Sequence, residues 1–171
     1  MDMVFIGPGK SIKPCVNIII NEKNILNRYI SRQDTVELKK DPFLDDFSYF
    51  LYGNPDIEKM NRAAELLFDY TDFTSFSKLH TDVQTNDCKI IQAGWKKENH
   101  RLIFTIKANR FLRGMVRTIV GTTLELGFDK ICLAEFRKII EDKDSSKAGF
   151  SVPARGLILV DIEYPEGLIL P

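Results

Sequence analysis

The 171-residue sequence lacks most of the signals that tie a chain to a chemistry. It has no glycine-rich phosphate loop, no dinucleotide fingerprint and no CxxC pair, so the nucleotide- and metal-binding classes built on those spacings find no support. The three cysteines, Cys15, Cys88 and Cys132, are odd in number and scattered. That argues against a disulfide framework and fits a reduced, cytoplasmic setting. No run approaches the ~20 apolar residues of a membrane span. The opening MDMVFIGPGKSIKPC lacks the regions of a signal peptide. The expectation is a soluble protein that is not exported and makes no membrane contact. Neither sign of charge is in excess, because 24 Lys and Arg balance 24 Asp and Glu. Any nucleic-acid role must therefore rest on a local patch. The two histidines, His80 and His100, have neither metal-ligand spacing nor a nucleophile beside them and read as surface residues. No cofactor is expected.

What is present suffices for one core. Hydrophobic residues make up 44% of the chain and aromatics 11%, which at this length favours a single globular domain. CVNIII (15–20) and ILNRYI (25–30) suit two strands of a hairpin turning at Asn21 to Asn24. Pro42 in KKDPF stops regular structure, and FSYFLYG (47–53) reads as a strand or extended arm. Asn54 as cap and Pro55 at the first position open a helix with Ile57, Met60, Ala64 and Leu67 inside. Glu58 and Arg62 are spaced as an ion pair on its solvated face. Residues 71–87 form a loop long enough to suggest a function. CKIIQAGWKKE (88–98) and RLIFTIKAN (101–109) make a hairpin turning at Asn99-His100. A helix over 108–127 follows, capped by Gly127. A second helix, 133–144, puts Leu133, Phe136, Ile139 and Ile140 inward. GLILVDIEYP (156–165) reads as a final buried strand stopped by Pro165. Strands and helices without regular alternation predict an α+β fold: an antiparallel or mixed β-sheet with helices packed on one face.

The sharpest chemical feature lies in ANRFLRGMVRTIVGTTLELG (108–127). At helical spacing Arg110, Arg113, Gly114, Arg117 and Gly121 fall within roughly a third of the circumference. Guanidinium forks match phosphate or carboxylate oxygens, and the glycines let a ligand or another backbone come close. One reading is a basic wall for an anionic ligand, extended by Lys107 and Lys78. The other is the ordinary solvent face of an amphipathic helix. Asp72 in TDFTSF would act on a substrate or simply cap a turn. Trp95, Tyr49, Phe50 and Tyr52 would stack on bases or pack in the core.

FTIKAN, FLRGMVRTIVGTTLELG and AGFSVPARGLILVDIEYP, taken in order with YTDFTSF and KDPFLDDFSYFLYG, resemble the C-terminal half of the tRNA pseudouridine synthase A family. The resemblance runs from about Lys39 to Pro165, dividing the chain into an N-terminal hairpin or extension at 1–38 and a C-terminal domain at 39–171. It implies an enzyme that detaches a uracil from its ribose, turns it and reattaches it through carbon, with no cofactor. The substrate would be tRNA, at uridines of the anticodon stem-loop, with the base flipped out of the stack. By the same resemblance the protein would be a homodimer. Arg117 would pair with the catalytic aspartate and keep it ionised. Arg110, Arg113 and Lys107 would hold RNA, and Leu157 would wall the base pocket. The sequence also departs from the family. The glycine-arginine-threonine-aspartate motif that carries the nucleophile, followed in the family by glycine-valine-histidine-alanine, is missing, and Arg32-Gln33-Asp34 shares only an arginine two places before an aspartate. Nor does Arg28-Tyr29 carry the arginine-x-tyrosine-x-tyrosine pattern expected just before KDPF. Two expectations follow: an RNA-binding half of a synthase, inactive alone, or a non-catalytic RNA-binding or dimerisation module derived from the family.

Overall fold

The computed structural model of the protein describes residues 13–23, 47–78, 85–98 and 101–163. Its organising element is strand β1, Lys13–Lys23, in which Val16, Ile18 and Ile20 are buried and Cys15, Asn17 and Ile19 are half-buried on the opposite face. This alternation is what a strand with one face on a core requires. β1 runs through the predicted turn. Asn21, Glu22 and Lys23 pair in parallel with Phe50, Leu51 and Tyr52 of β2, Tyr49–Tyr52. Turn propensity at Asn21 gives way to a partner strand that local sequence does not reveal. The predicted strand at 25–30 and the stop at Pro42 lie outside the described residues.

β3, Ile90–Glu98, and β4, Arg101–Ala108, form the expected antiparallel pair, with Trp95 opposite Phe104 and Glu98 opposite Arg101. Their turn at 99–100 is outside the described residues. β4 also pairs antiparallel with β1. On its other edge β1 carries β5, Leu157–Glu163, antiparallel along 13–18, and β2 along 20–23. The sheet is therefore mixed, in the order β2-β1-β4-β3 with β5 paired to β1 off this path.

Helices α1, Ile57–Leu66, α2, Met115–Gly127, and α3, Leu133–Asp142, cover one face of this sheet. Ile18, Ile20, Phe104, Ile106, Met60, Met115, Ile119 and Phe136 meet there in the core. α1 starts two residues beyond the Asn54-Pro55 signal. Asp56 is the cap and accepts from the Lys59 amide at 3.1 Å, while the Asn54 side chain instead receives Lys97. Asparagine and aspartate cap about equally well, and the one that accepts from the helix amide here is Asp56.

Four further expectations are corrected. The helix predicted over 108–127 begins only at Met115. Ala108 still belongs to β4, and Gly114 stands before the helix with φ +78°, a left-handed conformation that a helix cannot contain. Arg110 and Arg113 are therefore on a turn, and the arginine face of a single helix does not exist. Leu133, expected inside α3, is 37% exposed because it is the helix's first residue and overhangs the core, whereas Phe136, Ile139 and Ile140 are buried. β5 is not the buried strand its composition suggested. Leu157, Ile158, Leu159 and Val160 are all exposed, and β5 pairs only with β1 among the described residues. Gly127 is the last residue of α2, and the left-handed turn after it falls at Asp129.

The expected loop at 71–87 is anchored where it is described. Phe73 and Phe76 are buried around a single 3-10 turn, Thr74–Phe76; Ser75 donates to the Ile139 carbonyl at 2.6 Å, and Phe76 packs against Phe136. Bonds from Phe73 N–H to the Asn86 carbonyl and from Cys88 N–H to the Thr71 carbonyl close its ends.

Candidate nucleic-acid interface

The turn at 109–114 gathers the cations. Asn109 accepts from the Lys89 amide at 2.7 Å, which ties the end of β4 to the segment before β3. Arg110 Nη2 donates to the Thr85 carbonyl at 3.0 Å, and the Lys78 amide donates to the Arg113 carbonyl at 3.0 Å. Gly114 lies under the stem of Lys78: a Cβ at this glycine would be 3.3 Å from Lys78 Cγ. Lys78 is thus brought beside Arg113 from a separate segment, Arg110 on the same turn is held to Thr85, and Arg113 is exposed. Cations carried on a backbone held by such bonds suit the phosphates of a nucleic acid.

Arg117 belongs to a different neighbourhood. It is half-buried in the first turn of α2, and its Nε donates to the Val152 carbonyl at 2.6 Å while the Val152 amide returns a 3.2 Å bond to the Arg117 carbonyl. Its two terminal nitrogens have no partner among the described residues, so an end-on fork is left for an anion. Sequence spacing put Arg117 with Arg113; the chain reversal at Gly114 separates their settings.

Lys107 and Leu157 do not join the loop cluster. Lys107 lies on the sheet face away from the helices and pairs with Glu163 at 2.7 Å, across β1. That hydrogen bond raises the Lys107 pKa and lowers that of Glu163. Leu157 follows a 3-10 turn, Ala154–Gly156, and opens β5 opposite Ile18.

The other candidates take structural places. Asp72 accepts from the Thr74 amide at 3.0 Å and its hydroxyl at 2.6 Å, and pairs with Lys143 at 2.8 Å. Burial pushes its carboxyl up, but these partners outweigh that and hold it below the usual range. Trp95 is buried and packs on Phe104, with ring centroids 4.9 Å apart. Tyr52 is exposed and stands edge-on to Phe50. Asp34, His80 and His100 lie outside the described residues. Burial drives the Cys88 thiol up to about 11 against the opposing charge of Arg110, so it stays protonated and inert at neutral pH. Among the described residues no three His, Cys, Asp or Glu are grouped to hold a metal, and no helix is long and apolar enough to cross a membrane. A cavity of about 390 Å³ opens beside α1 and the start of α3, but Lys59 on its wall is already paired with Asp129 and Glu135 already caps the Cys132 amide.

Sequence reading missed the parts that place these arginines: the Val152 carbonyl, the Thr85 carbonyl and the Lys78 amide. Backbone groups carry no residue-type signal, and their partners are 25 to 35 residues away.

Comparison with known proteins adds a finding of another kind. Residues 63–165 match the family model described as tRNA pseudouridine synthase. The chain is 57% identical over 133 residues to the tRNA pseudouridine synthase A of Parabacteroides distasonis, a match covering 78% of this chain and 53% of that protein. It is 54% identical over 136 residues to the protein of that name from Bacteroides thetaiotaomicron, covering 78% and 51%. The corresponding protein of Azobacteroides pseudotrichonymphae is 44% identical over 162 residues, covering 90% and 65%. The chain thus spans about half the length of the first two relatives and rather more of the third.

Proposed function

The chain belongs to the tRNA pseudouridine synthase family, and from that membership we propose that it is the RNA-holding half of an enzyme that isomerises uridine to pseudouridine in tRNA. The target is a uridine of the anticodon stem-loop, the setting is the cytoplasm, the assembly is a homodimer, and no cofactor takes part. The observation that carries this reading is the junction at Gly114. There the left-handed residue leads the chain into α2, Lys78 lies over Gly114 and is bonded to Arg113 through the backbone, and Arg117 stands in the first turn of the helix with two terminal nitrogens that have no partner among the described residues.

Each group has a task. Lys78, Arg110 and Arg113 bind phosphates by charge and shape, and they keep tRNA in register while its target base leaves the stack. Arg117 takes the carboxylate of the nucleophilic aspartate end-on, and the adjacent cation keeps that aspartate ionised. Lys107 adds to RNA binding when the charge of Glu163 is displaced, and Leu157 borders the base. The aspartate itself comes from outside these residues, since the motif that bears it is missing and Asp72 is committed to Thr74 and Lys143.

The deciding experiment is a pseudouridine assay on unmodified tRNA with this chain, beside a gel shift on the same sample. Binding without conversion, and conversion once the upstream half of a relative is added, is the expected result. Conversion by the chain alone would make one of its own aspartates the nucleophile and overturn the division of labour. No binding would overturn the RNA-holding role. Arg113→Ala should weaken tRNA binding and flatten its salt dependence by about one phosphate contact. A second reading, a non-catalytic RNA-binding or dimerisation module, draws on the exposed apolar residues of β5. Stable dimerisation with tRNA binding, and no conversion on complementation, would favour it.

A further inference from the structure

We propose that Gly121 and Thr122 are positioning residues for Arg117: they seat the backbone of residues 149–152 on α2, and that strap fixes the guanidinium so that only its two terminal nitrogens remain for an anion. The inference rests on the reading of Arg117 as a carboxylate contact and deepens it.

Three attachments define the strap. Gly149 N–H donates to Thr122 Oγ1 at 3.0 Å, and that hydroxyl donates onward to the Thr118 carbonyl at 2.8 Å. The Phe150 carbonyl rests directly on Gly121: a Cβ there would lie 1.7 Å from Phe150 O and 2.8 Å from its carbonyl carbon. Val152 exchanges two bonds with Arg117, one from each backbone amide or side chain to the other's carbonyl. Arg117 and Gly121 are four residues apart, so they lie one turn from each other on the same helix face. The obstacle at Gly121 is backbone, which has no alternative rotamer. Any side chain at 121 must lift the strap. Val152 is fully buried and precedes Pro153, which restricts it to extended conformations. The carbonyl that holds Arg117 is therefore pinned from both ends.

The chemical consequence concerns geometry. A guanidinium receives a carboxylate either side-on, through Nε and one Nη, or end-on, through both Nη groups. With Nε given to Val152 the side-on mode is closed. A flexible arginine loses rotamer freedom when it binds, and one already fixed loses less.

The test uses the whole chain and two readouts. The first is hydrogen exchange of the Arg117 Nε–H in NMR, its signal assigned by its loss in Arg117→Lys. The second is titration with acetate, a single carboxylate, followed at the remaining Arg117 side-chain signals. Wild type and Thr122→Ser, which keeps the hydroxyl, should show slow exchange and the same acetate affinity. Thr122→Val and Gly121→Ala should show fast exchange and binding about fivefold weaker, a size typical of coupling between contacting groups. Slow exchange in Thr122→Val would overturn the strap, and that isosteric variant stays informative should Gly121→Ala fail to fold. Fast exchange with unchanged acetate affinity would overturn the claim that the strap prepares Arg117 for an anion. Acetate bound equally by wild type and Arg117→Ala, judged from backbone amide shifts, would overturn the carboxylate reading of Arg117 while the exchange data still decide whether the strap holds it.

Discussion

Two of the outer strands, β3 and β5, are finished differently. β3 is guarded: the Asn61 side chain of α1 accepts from the Trp95 amide at 2.7 Å and donates to the Trp95 carbonyl at 3.2 Å, taking the place of a neighbouring strand. Exposed Lys96 and Lys97 lie just beyond. β5 has no such guard among the described residues, and it presents four apolar side chains in a row, from Leu157 to Val160. An edge with a side-chain amide and lysines is built to end a sheet, and an edge of exposed leucine, isoleucine and valine is built to be covered. The same sheet thus has one guarded edge and one apolar edge among the described residues.

That contrast can be broken at its deepest point first. Phe104→Ala, beneath Trp95 on the guarded side, should cost about 3–5 kcal/mol in urea unfolding, because the surrounding core cannot collapse into the space. Asn61→Ala should cost about 1–3 kcal/mol by leaving the Trp95 amide and carbonyl short of partners, and it should make β3 prone to pairing with other chains. A change near zero would mean that water serves this edge as well as Asn61 does. On the other side, Leu159→Lys should leave stability within about 0.5 kcal/mol yet abolish concentration-dependent association in sedimentation. If association persists, β5 is not the adhesive strand. The smallest effect concerns the clasp on β5, where Lys107 and Lys13 meet Glu163. These partners hold the Glu163 carboxyl below its usual value of 4.5. A group with a depressed folded value stabilises the fold above its unfolded value and stops doing so as pH falls through the folded one. Amide exchange in β5 should accelerate below about pH 4.5 more than in β3, and Glu163→Gln should remove the difference.

Legibility in the sequence followed the range of the interactions. The β3–β4 pair and α3 were plain because period-two and 3.6-residue patterns are local. The same local logic failed at 108–114, where apolar residues kept helical spacing while Gly114 adopted a left-handed φ. It failed at Asn21 to Lys23, where β2 captured a segment with turn chemistry. It also misjudged β5, because LILV has the composition of a buried strand whether or not a covering layer is present. Of the candidate site, Arg110, Arg113 and Lys78 were visible as charges. Their placement was not, because it depends on backbone groups at Thr85 and Arg113.

The central place of β1 has a further consequence, for the order in which the molecule can form. The strand is bonded along both edges, and its clasp to β5 joins Lys13 to Glu163 across a separation of 150 residues. Pairings between such distant segments pay a large loop-closure entropy before they gain any contact energy, so they form late. A ribosome making this chain would release β1 long before β4 or β5 exists, and Val16, Ile18 and Ile20 would wait for β4, α2 and α3 to follow. A strand bonded along both edges in the finished protein is thus a vulnerable one during synthesis, and chaperone dependence should be set there rather than at the surface.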